Sequence, residues 1–170
     1  MTADELPQFA CTGDVLAVHG RSEFQRLIQL DTVSPFCHVA LIVRPQPELV
    51  VVCEMVEGEG YQSMLLADWV AGRPNDVLFF GRAPAVVRQH ANIILNSLRE
   101  YAVKDKQEYG YGELLKVWLS QFTGVDYETR HEVCSLFVQH RWEIAGCRIE
   151  GCSAPGVFLF ECESVARLTG

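Results

Sequence analysis

Ser34-Pro35-Phe36-Cys37-His38-Val39-Ala40-Leu41-Ile42-Val43, then Arg44-Pro45-Gln46-Pro47-Glu48, then Leu49-Val50-Val51-Val52-Cys53-Glu54-Met55, form two apolar runs around a proline-containing gap. The outer runs are apolar and rich in β-branched residues, as strands are. Both prolines between them lack a backbone donor, so the middle reads as the loop of an antiparallel hairpin. If Val43 faces Leu49, then Ile42 faces Val50, Ala40 faces Val52 and His38 faces Glu54. Opposed residues share a face of the sheet, with Cβ atoms roughly 4.5–5.5 Å apart. A carboxylate there accepts from one imidazole nitrogen, fixes the tautomer and leaves the other nitrogen as an acceptor. The inference depends on register, since a slip of one residue turns Glu54 to the opposite face. A histidine opening a strand and a glutamate closing one are also common as plain structural residues.

About eighty residues later, His131-Glu132-Val133-Cys134-Ser135-Leu136-Phe137-Val138 supplies a thiol. Thr123-Gly124-Val125-Asp126 breaks the preceding pattern, and Asp126 or Thr129 suits a helix cap, with Glu132 in the first turn. Val133, Phe137, Val138, Trp142 and Ala145 then recur at helical spacing, and Gly146 is a stop. Cys134 falls in the first turn, where unpaired amides and the helix dipole favour a thiolate and an oxyanion. A cysteine, a base and a residue that orients the base are the parts of a thiol nucleophile site. The competing reading is a core cysteine on the apolar side of an amphipathic helix.

Other candidates are weaker. His131, Cys134, Cys147 and Cys152 resemble zinc ligands, but the second pair is spaced more loosely than a zinc knuckle and a helix separates the pairs. No metal or cofactor is therefore expected. His90 lies on the apolar stripe of a predicted helix and reads as a core histidine. Ser135 lacks a nucleophile elbow, and Gly110-Tyr111-Gly112 lacks the lysine and spacing of a phosphate loop.

Gly13-Asp14-Val15-Leu16-Ala17-Val18, the Ser34–Leu41 segment, Val133–Val138 and the late Ala154-Pro155-Gly156 together carry a resemblance. In order and spacing they are similar to the circularly permuted branch of the NlpC-type papain-like superfamily, the group that includes the bacterial YiiX and YaeF proteins. The order histidine, acid, cysteine is the permuted one. Lecithin retinol acyltransferase and its relatives share it, but carry an Asn-Cys-Glu-His block where this chain has Val133-Cys134-Ser135-Leu136. The resemblance covers about Gly13 to Phe160. It implies Cys134 as nucleophile, His38 as general base and Glu54 as the residue orienting His38. It implies a thiol hydrolase acting through a thioester on a peptide-like amide. The alternatives are a lipid acyltransferase or lipid hydrolase with the same triad, and a binding module of the same fold without turnover.

The chain has 170 residues, 49% of them hydrophobic, enough for one sizeable core. The expectation is a single domain over 1–170, with 1–10 a loose tail. The order of elements predicts an α+β fold, a permuted papain-like arrangement with an antiparallel sheet packed against helices. Its expected parts are a strand at Val15–Val18, a Ser22-capped helix to Leu30 with Phe24, Leu27 and Ile28 inward, and the hairpin. A short helix or turn follows at Ser63–Val70, then a strand at Val77–Phe80 and a long helix from Pro84 to about Val103. A helix at Glu113–Phe122, the Cys134 helix and a last strand at Val157–Phe160 complete it. The net charge of −8, with fourteen scattered basic residues, argues against a nucleic-acid partner. No apolar run approaches the roughly 20 residues of a membrane helix. The seven cysteines and a start without a basic, then apolar, leader predict free thiols and a cytoplasmic setting.

Overall fold

Val15, Ala17, Val39, Leu41 and Val43 turn to one side of a sheet, and Leu16, Val18, Ala40 and Ile42 to the other, and all are buried. Strands apolar on both faces belong at the centre of a sheet covered on both sides. The computed structural model describes residues 1–56, 59–103, 133–149 and 154–169. Within them lie α1 (Leu6–Phe9), β1 (Val15–His19), α2 (Glu23–Asp31), β2 (His38–Gln46), β3 (Leu49–Val56), β4 (Gly60–Leu65) and α3 (Leu66–Ala71). They continue with β5 (Val77–Arg82), α4 (Ala85–Gln89), α5 (Ala91–Val103), α6 (Cys134–Ile144), α7 (Val157–Glu161) and β6 (Ser164–Arg167). The strands form one antiparallel sheet in the order β4-β3-β2-β1-β5-β6. The protein is thus a mixed α+β fold whose sheet packs against helices.

Two cores result. Over one face, the odd residues of β1 and β2 meet Val87 of α4, Ile94 and Leu98 of α5, Phe137, Val138 and Trp142 of α6, and Phe158 of α7. Over the other, the even residues meet Leu6 of α1 and Leu66 and Trp69 of α3. Asp14, fully buried, ties the start of β1 to the end of β5. Its carboxylate accepts from the Cys11 and Ala83 amides at 2.8 and 2.9 Å and pairs with Arg82 at 3.0 Å.

Several expectations change. The hairpin register differs by two residues: Val43 pairs with Val51, Ile42 with Val52 and Leu41 with Cys53, and the ladder is irregular between Val43 and Gln46, which pairs with Leu49. Pro45 is inside β2, at that irregularity, where a missing donor is tolerated. Residues 1–10 are no loose tail, because α1 docks through fully buried Leu6 and Thr2 bridges to Thr169. Ser63–Leu65 belongs to β4, and α3 starts only at Leu66. The expected long helix breaks at His90, which is exposed, donates from Nδ1 to the Val86 carbonyl (2.8 Å) and is not a core histidine. Val157–Phe160 is helical, in α7, and the last strand is β6. Ser22 does cap α2, reciprocally with Gln25, but Leu27 points outward. The helix expected at Glu113–Phe122 lies outside the described residues.

Candidate active site

β2 opens with His38, so its ring stands at the end of the sheet. Glu54 is near the far end of the adjacent β3. With Leu41 opposite Cys53, Glu54 comes level with Ala40, not His38. Facing alternates with a period of two, so a register displaced by two residues leaves Glu54 on the His38 side, as a diagonal neighbour within reach of a long side chain. His38 Nε2 lies 2.7 Å from Glu54 Oε2.

Glu54 is 1% exposed. A buried carboxylate persists as an anion only where donors replace its water. Besides His38, Trp69 Nε1 donates to Oε2 at 2.8 Å, and Arg73 Nη2 donates to Oε1 and Oε2 at 3.0 and 3.1 Å. The Arg73 guanidinium lies over the Trp69 ring, 3.9 Å from its centroid, and Nη1 donates to the Trp69 carbonyl at 3.1 Å. Burial opposes ionisation of Glu54, but the bond and charge of His38, the charge of Arg73 and the Trp69 bond outweigh it and hold the pKa at about 2. Trp69 and Arg73 escape sequence reasoning as site residues. The signal available was a buried acid needing a second donor, and a tryptophan and an arginine four apart.

Cys134 starts α6, with Val133 in the extended capping position and no side-chain cap. Phe137, Val138 and Trp142 anchor the helix against β2 and β3, and Gly146, at φ +88°, ends it in the left-handed conformation. The thiol is buried, and the His38 side chain and the backbone amides of Val39 and Ser135 act on it. Burial raises the cost of a thiolate there. The His38 charge and bond and the two amides overcome it, so the Cys134 pKa is lowered. Burial likewise works against a charged His38, but Cys134 and Glu54 on its two sides raise its pKa. Other cysteines go the opposite way: burial pushes Cys37 and Cys53 up to about 11 and Cys162 up to about 12.

The three side chains singled out from the sequence, Cys134, His38 and Glu54, therefore meet at one place. Of the zinc-like set, His131 and Cys152 lie outside the described residues. An apolar groove of about 220 Å³ opens on the α6 face of the sheet, between Val43, Val51, Cys53, Tyr61, Leu95 and Leu98. Neither Cys134 nor His38 lines it.

The metalloprotein YiiX from Escherichia coli O157:H7 has a solved structure similar to this one, with a TM-score of 0.58 and 16% sequence identity over 94% of this chain and 96% of that one. At that identity the likeness shows a shared fold, a YiiX-like one. No protein-family profile and no curated protein matches the chain.

Proposed function

We propose that the protein is a thiol hydrolase of permuted papain-like type, with Cys134 as nucleophile, His38 as general base and acid, and Glu54 orienting His38. The observation that supports it most is the meeting of Cys134, His38 and Glu54, with His38 Nε2 2.7 Å from Glu54 Oε2 and the thiol beside the same ring. Cys134 faces an imidazole and two amides, and its thiolate is favoured. Glu54 occupies Nε2 of His38, which leaves Nδ1 for the sulfur.

The thiol proton rests on His38. The thiolate attacks a carbonyl carbon, a C–S bond forms and the carbonyl electrons move to oxygen, toward the amides at the tip of α6. As the C–N bond breaks, His38 returns its proton to the leaving amine, and a thioester remains. His38 then takes a proton from water, the resulting hydroxide attacks, and the C–S bond breaks to release the acid and the thiol. A peptide-like amide is the substrate class favoured, as the resemblance to NlpC-type enzymes implies. The YiiX protein is described as a metalloprotein. Among the described residues of this chain no three His, Cys, Asp or Glu side chains gather to hold a metal ion, and no step passes through one.

Alkylation by iodoacetamide below neutral pH, read by peptide mass spectrometry, tests the assignment. Cys134 is expected to react far faster than the other cysteines and to lose that advantage in His38→Ala. Turnover of peptide amides is expected to vanish in Cys134→Ala, with an unchanged circular dichroism spectrum. Full turnover in Cys134→Ala would remove the nucleophile assignment, and a Cys134 no faster than the rest would favour a binding module.

A further inference from the structure

We propose that Arg73 is a positioning residue of this site, acting on His38 and Cys134 through Glu54; the proposal rests on the thiol reading above. Arg73 comes from the chain just after α3 and touches neither the imidazole nor the sulfur in any contact described above. Its guanidinium is fixed at three points: the Glu54 carboxylate, the Trp69 carbonyl and the face of the Trp69 ring. A group held that way transmits position rather than adapting to its neighbours.

Two consequences follow for Glu54. Oε2 takes donors from His38, Trp69 and Arg73, whereas Oε1 is bonded among the described residues by Arg73. Arg73 therefore limits rotation of the carboxylate about its last bond and keeps Oε2 aimed at His38 Nε2. Its charge also offsets that of Glu54. The imidazolium and the thiolate are then left to balance each other. Without Arg73, an uncompensated carboxylate would lie one residue away from the thiolate and oppose its formation.

Both Arg73 bonds to Glu54 come from one nitrogen, Nη2. That contact is not a two-nitrogen fork, so a lysine ammonium can reproduce part of it, as a fork would not allow. Arg73→Met keeps an unbranched side chain over Trp69 while removing the charge, which separates charge from packing.

The test is the pH dependence of iodoacetamide alkylation of Cys134. It is followed in the tryptic peptide His131–Arg141, which holds Cys134 as its one cysteine. Wild type, Arg73→Ala, Arg73→Met and Arg73→Lys are compared, with circular dichroism confirming each fold. The acid limb is expected to move to higher pH by about half a unit or more in Arg73→Ala and Arg73→Met, and back toward wild type in Arg73→Lys. A purely structural arginine would lower the urea midpoint and leave the limb where it is. An unmoved limb in folded Arg73→Met would therefore overturn the proposal while sparing the thiol reading. A wild-type Cys134 without any enhanced reactivity would overturn that reading and this proposal together.

Discussion

His38 Nε2 and Trp69 Nε1 converge on a single atom, Glu54 Oε2, at 2.7 and 2.8 Å. The indole comes from α3 and the imidazole from β2, so the carboxylate of β3 joins three elements at one oxygen. Donors of that kind, inside the protein, fix a side chain more tightly than packing alone. They also divide one acceptor between a ring that is proposed to carry protons and a ring that cannot.

Trp69→Phe isolates the second of these rings. It deletes one donor to Glu54 and some buried volume while leaving the His38 and Arg73 bonds to Glu54. The expected cost is about 1 to 3 kcal/mol in urea unfolding, with a severalfold slower alkylation of Cys134. A variant that unfolds at the wild-type urea midpoint would show that the indole adds nothing net to the site.

The His38–Glu54 meeting was legible in the hairpin even though the expected register was two residues off. Facing repeats every two residues, so an error of two changes the partner and preserves the side. The Cys134 helix start was legible because Phe137, Val138 and Trp142 keep a helical period up to Gly146. Trp69 and Arg73 were not legible as site residues, since their reach depends on where α3 crosses β3. Ser63–Leu65 read as helix or turn, which hid that crossing. Val157–Phe160 misled for a different reason: a short apolar run fits a buried strand or one turn of helix equally well, and here it is the helix turn, with Phe158 edge-on to Trp142.

Acid stability should carry the mark of Glu54. Its pKa falls from an ordinary 4.5 to about 2 on folding. A depressed acid stabilises the fold fully above the unfolded value and loses that contribution as pH drops through the folded one. The wild type is therefore expected to lose on the order of 3 kcal/mol between about pH 5 and about pH 2 from this group. Glu54→Gln should start less stable at neutral pH and lose less on acidification, as read by urea midpoints across that range. Parallel midpoint curves for the two proteins would contradict an ionised, bonded Glu54.

Gly13→Ala probes the turn into β1. Gly13 sits at φ +101°, and an added Cβ would come 2.6 Å from Val87 Cγ1. Its carbonyl also accepts from Trp142 Nε1 at 2.9 Å, which couples the turn to α6. Left-handed backbone and overpacking add, so a loss of about 2 to 4 kcal/mol is expected in urea unfolding. A loss below 1 kcal/mol would mean that the turn relaxes to accept a side chain.

His38 itself can report whether the sulfur is its partner. Cys134 and Glu54 both raise its pKa against the effect of burial. Replacing Cys134 by Ala removes one of those two influences and keeps the Glu54 bond. Titration of the ring C–H signals by NMR is expected to show His38 protonated through neutral pH in the wild type and releasing its proton at lower pH in Cys134→Ala. The stability sign follows. A histidine whose pKa is raised on folding contributes fully below its unfolded value near 6.5, and that contribution is lost as pH rises through the folded value. The variant should lose it earlier on the alkaline side. Cys134 adds the complementary term, since a thiol lowered on folding contributes above its unfolded value near 9.0 and loses that contribution as pH falls through its lowered one. An identical His38 titration in wild type and Cys134→Ala would separate the imidazole from the thiol and leave Cys134 as one more buried cysteine.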